Sequence, residues 1–383
     1  MIDVLVVGGG PVGLATAIAC ARAGLTVTVA EPRGGPIDKA CGEGVMPAAV
    51  RRLASLGVTP DGHPLRGIRY LDDRHRADAL FRHGDGLGVR RTVLHAALAS
   101  RAAALGIEVL PVRVTSFERH SSHVRAAGVE ARYLVAADGL HSTIRRCLDR
   151  DGAVEGSVSG PGAGARGVAE PRGGSVRSRG GSVPSRGGAP RYGLRRHYRI
   201  APWTDLVEVH WAAHAEAYVT PVGEDLIGVA LLLANDGTNG DGPGAERGDF
   251  DSRLSAFPAL AERLTGAPTA SEVRGAGPMR QDVRRRVHGR VLLVGDASGY
   301  LDALTGEGIG VGLAQAEALA VCLAAGRPAD YERAWRRVSS PAWRLTAGLL
   351  WSRNQALLGT RLVPAAQHIP GLFSILVNHA AQA

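Results

Sequence analysis

Gly8, Gly10 and Gly13 stand at the spacing G-x-G-x-x-G, directly after the apolar run IDVLVV and just before LATAIACARAG. The first glycine permits a tight turn, the second lets the backbone approach a pyrophosphate, and the third lets a helix pack on a strand. Pro11 and Val12 complete the turn. A helix starting there offers its free N–H groups and positive dipole end to phosphates. Glu31 follows at the end of LTVTVAE, where an acidic side chain can hold an adenosine ribose. Two later segments repeat the theme. Asp138 and Gly139 end the strand-like ARYLVAAD and precede Ser142 and Arg145; Gly295 and Asp296 end VLLVGD and precede a glycine-rich turn. An aspartate so placed can accept hydrogen bonds from ribityl hydroxyls. The N–H groups of Gly308, Ile309 and Gly310 can face a flavin pyrimidine, where negative charge collects on reduction.

The loop IDKACGEGVMP holds the only lysine of the chain, Lys39, two residues before Cys41. Gly42 and Gly44 let the backbone pass close to a ring system, which makes Cys41 a candidate cavity residue. Lys39 adds positive potential near phosphates or a reduced ring. Each also has a plain alternative, Cys41 as a small buried hydrophobe and Lys39 as a solvated charge. Glu43 is either a proton relay or an exposed loop residue.

These turns need strands and helices to hold them. Residues 2–31 read as strand, turn, helix, strand; RTVLHAALASRAAALG reads as a helix and IEVLPVRVTSFE as strand-like. Strand-loop-helix units recur around Asp138 and Asp296, so one sheet assembled from distant segments is expected. YGLRRHYRI, LVEVHWAAHAEAYVTPV and DLIGVALLLAN, with LRGIRYLD and HRADALFR, read as an antiparallel sheet. Residues 151–190 repeat RGGSV or RGGAP with a seven-residue period, so a flexible Gly/Arg-rich insertion is expected. The C-terminal stretch from Pro341 is expected to be amphipathic helices, with Trp343 and Trp351 near one face, packed over the domain junction, with peripheral membrane contact as an alternative.

The chain has 383 residues, a net charge of +9 and 45% hydrophobic content, enough for two domains. Its arginines are scattered rather than striped and aromatics make up 4%, which argues against a nucleic-acid surface. The four cysteines form no C-x-x-C pair and read as free thiols, not a metal site, in a reducing cytoplasm. No apolar run is long enough to cross a bilayer.

Together, the G-x-G-x-x-G start, D-G-x-x-S-x-x-R from Asp138 to Arg145, and the late Gly295–Asp296 pair resemble the FAD-dependent family of para-hydroxybenzoate hydroxylase, flavin halogenases and geranylgeranyl reductases. The resemblance implies an α/β fold: a discontinuous Rossmann-like FAD-binding domain of the glutathione-reductase-2 type (residues 1–64, 88–150 and 273–338). An inserted antiparallel β-sheet domain for substrate (65–87 and 191–272) and C-terminal helices (339–383) complete it. It implies FAD contacts at Gly8, Gly10, Pro11, Val12, Gly13, Glu31, Lys39, Arg91 of RTVLHAAL, Val114, Asp138, Gly295, Asp296, Gly308, Ile309 and Gly310. NAD(P)H is the implied transient electron donor, and Arg195, Arg196 and His197 are either its docking patch or an exposed strand edge.

Two departures bear on function. Hydroxylases follow G-D-A with a histidine and a proline pair, where this chain has Gly299 and Asp302–Ala303. KACGEG and LTGEGIG are instead similar to geranylgeranyl reductases, although those enzymes' Y-x-W-x-F-P is replaced by AYVTPVG from Ala217. Tyr218 in that stretch and Cys41 are the candidate catalytic residues. The resemblance implies an FAD-dependent monooxygenase that hydroxylates a lipophilic phenolic or polyketide-type substrate with NAD(P)H and O₂. The alternative is reduction of prenyl-chain double bonds.

Overall fold

The computed structural model describes residues 1–155, 190–234, 250–355, 359 and 361–382. Nearly all of the repeat-bearing segment expected to be flexible, 156–189, lies outside the described residues. The first strand, Ile2–Val7, runs parallel to Val27–Ala30 on one side and to Val129–Ala136 on the other. Glu108–Leu110 and Val291–Leu293 extend this parallel sheet outward. Its members come from three distant parts of the chain. Val4, Leu5 and Val6 are wholly buried, as expected for a parallel strand covered on both faces.

Pro11–Arg22 forms the first helix, with Pro11 in its first turn, where a missing N–H costs nothing. It ends at Ala23 and Gly24, the latter at φ +83°, the left-handed residue that glycine supplies most readily. Its face is almost all small residues, so it lies against the equally small-faced helix Gly308–Ala324. A Cβ at Gly312 would overlap the Val12 side chain, so the helix crossing depends on that glycine.

The second sheet runs in the order Arg274–Ala276, Arg191–Arg199, Leu226–Ala234, Ala215–Gly223, Leu206–Trp211, Gly67–Leu71 and Arg76–Leu80. It is antiparallel except where Leu206–Trp211 pairs in parallel with Gly67–Leu71. Those two strands come from opposite ends of the domain, joined by a long path, which is what a parallel neighbour requires. The strand-like reading of residues 107–118 holds only at Glu108–Leu110 and Glu118–Arg119.

The C-terminal helix spans Tyr331–Asn354 without a break at residue 338, with Pro341 inside it. Trp343 packs edge-on against the buried Trp335, whereas Trp351 is 61% exposed, so the two do not share a buried face. The final helix, Pro370–Ala380, seats Phe373 and Val377 against Ile68, Ala79, Val207 and Val209 of the second sheet. Asn378 fixes it there: its amide donates to the Leu80 carbonyl and its Oδ1 accepts from the Arg82 N–H. No helix among the described residues is long and apolar enough to cross a membrane.

Candidate active site

A cavity of about 300 Å³ lies between the two sheets. The glycine turn at Gly10–Val12, the Lys39–Gly44 loop, Asp138–Leu140 and the start of the helix at Gly308 reach it from one side. The apolar faces of the second sheet and of the last helix close the other.

Each turn on the first side is locked by the chain itself. A Cβ at Gly13 would overlap the Gly8 carbonyl oxygen, and Gly8 adopts φ +107°. Glu31 sits beneath the turn, where Oε2 accepts the Gly9 N–H at 2.8 Å. Its Oε1 accepts from the Arg33 N–H at 3.0 Å and Nε at 2.7 Å, and its Oε2 from Arg33 Nη2 at 2.9 Å. Those bonds use all the acceptor positions of a carboxylate, so Glu31 can take a ribose hydroxyl only if the half-exposed Arg33 yields. Burial raises the Glu31 carboxyl, but Arg33 and the Gly9 N–H pull it below its ordinary range. His95 supports the same turn, donating from Nε2 to the Gly9 carbonyl at 3.0 Å.

Asp138 and Arg145 clamp the other two turns together. Asp138 accepts the Ser142 hydroxyl at 2.5 Å and the N–H groups of Thr143 at 2.7 Å and Ile144 at 3.2 Å, capping the helix Thr143–Glu155. Arg145 donates to the carbonyls of Leu140 at 2.8 Å and Ala297 at 3.1 Å. Gln315 accepts the Gly295 N–H at 2.8 Å, and Trp335 donates to Ser298 Oγ at 2.8 Å. The turn carrying Asp296 is thereby held from three elements.

The arrangement fits FAD. The helices starting at Pro11 and Gly308 have no side-chain cap, so their first N–H groups are free for a ligand. A Cβ at Gly10 would meet only the Arg91 guanidinium at 3.8 Å, so the backbone there is open to the cleft. Arg91 Nε is buried without a partner among the described residues. Lys39 Nζ lies 3.1 Å from where a Gly139 Cβ would stand, over the turn beside Asp138. Lys39 is exposed to solvent at the open cleft, and partial desolvation there lowers its ammonium, partly offset by Asp296. Burial raises the Asp296 carboxyl against the pull of Lys39, Arg91 and Arg145. Of the residues expected to contact FAD, Gly10, Pro11, Val12, Lys39, Arg91, Asp138, Gly295, Asp296, Gly308 and Ile309 line the cavity. Gly8, Gly13, Glu31 and Gly310 stand just behind that lining, and Val114 packs in the core with Val7, Ala30 and Ala136.

Cys41 lines the cavity, and its Sγ accepts the Glu43 N–H at 3.4 Å. Tyr218 also lines it, but its hydroxyl donates to the Leu304 carbonyl at 2.9 Å, and burial drives its ionisation well up. It is a positioned wall residue rather than a free acid. Glu43 is 2% exposed at φ +59°, a left-handed conformation that costs a non-glycine residue about 1 kcal/mol or more. It is neither an exposed loop charge nor idle: Oε1 accepts the Arg91 N–H at 2.8 Å and Oε2 lies 2.5 Å from His197 Nε2.

That contact overturns both the docking patch and the exposed strand edge. Arg195 and His197 are buried, at 1% and 0% exposure, and only Arg196 points outward, to Asp251. Alternation along the strand puts residues 195 and 197 on one face, and that face is covered by the Asp38–Glu43 loop. Arg195 bonds the Asp38 carboxylate and the Lys39 carbonyl. Sequence reading also missed Glu216, which is bound by both Arg191 and Arg353 behind the cavity wall. Burial pushes its carboxyl up to about 7 against those two guanidiniums. It missed Glu307 as well, whose oxygens have no hydrogen-bond partner among the described residues.

Helix starts free for phosphates and one cavity shared between glycine turns and an apolar sheet face define a flavin-dependent oxidoreductase. Residues 1–162 match the FAD binding domain family. The chain is 29% identical to the menaquinone reductase of Mycolicibacterium smegmatis over 87% of its own length and 79% of that protein. It is 26% identical to the digeranylgeranylglycerophospholipid reductase 1 of Methanopyrus kandleri, covering 81% and 77%. Its fold matches the flavin-dependent brominase Bmp2 with a TM-score of 0.74 at 16% identity, covering 100% and 94%. The chain is thus similar to an FAD binding domain in residues 1–162, to these two reductases over most of its length, and in fold to the brominase.

Proposed function

We infer that this enzyme reduces carbon–carbon double bonds in an apolar, chain-like substrate of the prenyl type. One observation carries the reading. The second sheet contributes no cation and no carboxylate to the cavity lining among the described residues, so nothing there grips an ionised phenol or acid. The charged side chains that line the cavity come from the opposite side, with Cys41 and Glu43 together on the glycine loop.

FAD, reduced by NAD(P)H, supplies a hydride when bound. Gly10 and the helix starts at Pro11 and Gly308 hold it, Lys39 and Arg91 balance its negative charge, and Asp296 accepts its hydroxyls. Ile68, Val207, Val209, Leu231 and Phe373 exclude water from the substrate. Cys41 faces it with a thiol proton, and Glu43 lies beside it on the same loop. The exposed Leu372, Ile375 and Leu376 continue the apolar lining onto the surface, and Leu376 belongs to both. They give a lipid-dissolved substrate a way in through peripheral contact with a membrane.

Hydroxylation of a lipophilic phenol is the second reading. Tyr70, tilted against Phe373 at 4.7 Å and Trp211 at 5.3 Å between ring centres, offers an aromatic wall for a ring. The test is to supply NADPH with prenylated quinones or phenols, with and without ¹⁸O₂, and analyse products by mass spectrometry. A gain of two hydrogens without oxygen supports reduction. A labelled oxygen atom in the product overturns it in favour of hydroxylation.

A further inference from the structure

Saturating a double bond takes a proton as well as a hydride, and the second sheet and the last helix wall the cavity with apolar side chains that carry none. One continuous hydrogen-bonded path leads out of it. Glu43 Oε2 lies 2.5 Å from His197 Nε2. On the far side of the ring, His197 Nδ1 lies 2.8 Å from the Ser271 hydroxyl. Ser271 is half-buried and precedes the exposed Glu272, whose carbonyl it also reaches at 3.2 Å.

The charges around the path fix its polarity. Arg195 Nη1 lies 3.0 Å from His197 Nδ1. A guanidinium only donates, so Nδ1 is the bare nitrogen, Nε2 carries the hydrogen, and that hydrogen points at Glu43. Arg195 is itself held by Asp38, which also meets Arg274. Lys39, Arg91 and Cys41 are the other ionisable groups lining the cavity near Glu43. A hydrogen on Nδ1 would face the Arg195 guanidinium, so the ring rests with its hydrogen toward Glu43. Gly228 leaves room for the pair: a Cβ there would stand 3.1 Å from Glu43 Oε2.

We propose that Glu43, His197 and Ser271 form a proton path from solvent to the cavity, with Glu43 as the terminal carrier and His197 and Ser271 as positioning residues behind it. The proposal rests on the reductase reading. In the step, the substrate π bond breaks, one carbon takes the hydride that the reduced cofactor supplies, and the other takes a proton from Glu43. Glu43 receives its proton from His197 Nε2 as Nδ1 takes one from the Ser271 hydroxyl, solvent restores the serine, and the hydrogen left on Nδ1, which faces Arg195, is lost to solvent as Nε2 regains one before the next turnover. Charge and atoms balance at each transfer. The left-handed backbone at Glu43 places the carboxylate where the loop, the strand and the Arg91 helix start meet.

The test uses FAD-loaded enzyme at saturating substrate. His197→Gln, which keeps a hydrogen-bonding side chain but cannot relay, is expected to lower kcat about 100-fold. KM and FAD affinity stay within about twofold, and the pH profile moves and the solvent deuterium isotope effect rises. Ser271→Ala, at a half-exposed loop that tolerates change, is expected to lower kcat severalfold with the same isotope signature. Both variants turning over at the wild-type rate and pH profile would overturn the proposal. If His197→Gln fails to fold, Ser271→Ala decides alone. Should the wild type bind FAD yet reduce no double bond, the reductase reading fails separately. The path is then judged by ¹⁵N NMR of the histidines, with the His197 signal assigned by its loss in His197→Gln. A neutral ring with hydrogen on Nε2 supports the path; hydrogen on Nδ1 overturns it.

Discussion

On the cofactor side of the cleft, Lys39, Arg91 and Asp296 bring side-chain charge into the cavity, and none of the three side chains makes a hydrogen bond or ion pair among the described residues. On the substrate side, charge is just as abundant but turned away and closed on itself. Glu216 takes Arg191 and Arg353, Glu208 takes Arg69, Trp203 and His210, and Arg195 takes Asp38. A buried charge without a partner costs several kcal/mol. The substrate side has met that cost within the chain, leaving an apolar surface. The cofactor side keeps its charges for a ligand that brings phosphates and hydroxyls. Removing a charge should therefore cost fold stability on one side and cofactor affinity on the other.

The largest effect is expected at Glu216. Glu216→Gln leaves Arg353 without its bonded carboxylate and Arg191 with Asp302 alone, at 3.4 Å, and should cost about 4 kcal/mol of stability in urea unfolding. FAD affinity should change by less than about twofold. A large loss of affinity at unchanged stability would break the contrast.

Glu307 sharpens it, being buried, 5% exposed and unpartnered. Burial pushes its carboxyl from 4.5 up to about 7. Between those values the folded protein holds a proton that the unfolded chain has released. Stability therefore falls as pH rises through that window, by up to about 3 kcal/mol. Glu307→Gln should remove that part of the decline and be more stable than the wild type above neutral pH. An unchanged slope from acid to neutral pH in denaturant titrations would contradict this.

Lys39 belongs to the opposite class. Lys39→Met should weaken FAD binding by about 2 kcal/mol, the scale of a charge-assisted contact, and leave the stability of the FAD-free protein unaltered or slightly higher. Partial desolvation holds the ammonium below its ordinary value in the free protein, and phosphate favours its charged form. FAD affinity should thus fall as pH rises toward the alkaline range, and Lys39→Met should flatten that dependence in fluorescence titrations.

The same division marks what the sequence discloses. The turns at Gly8–Gly13, Asp138–Gly139 and Gly295–Asp296 are local: a few residues determine each backbone path, so spacing reveals them. Lys39 and Cys41 were legible for the same reason. The partners of Glu43, Glu216 and Arg195 lie far away in the chain, and local periodicity carries no trace of such pairs. The one available signal was alternation in YGLRRHYR, which puts Arg195 and His197 on one face without saying which face is covered. The two sheets were legible from their apolar runs, but not the parallel pairing of Gly67–Leu71 with Leu206–Trp211, which depends on how distant segments dock.

The smallest effect tests a residue on the border between the two classes. Position made Asp138 a cofactor ligand, yet its carboxylate caps the helix Thr143–Glu155 with three hydrogen bonds while the residue lines the cavity. A capping aspartate is worth about 1 kcal/mol. Asp138→Ala should therefore lower stability by about that amount and shift the FAD dissociation constant less than about threefold. Asp138→Asn, which keeps one capping oxygen, should recover part of the loss. If Asp138→Ala instead leaves the melting temperature alone and weakens FAD tenfold or more, then Asp138 is one of the charges kept for the ligand. In that case Ser142 and Arg145 hold the turn without it.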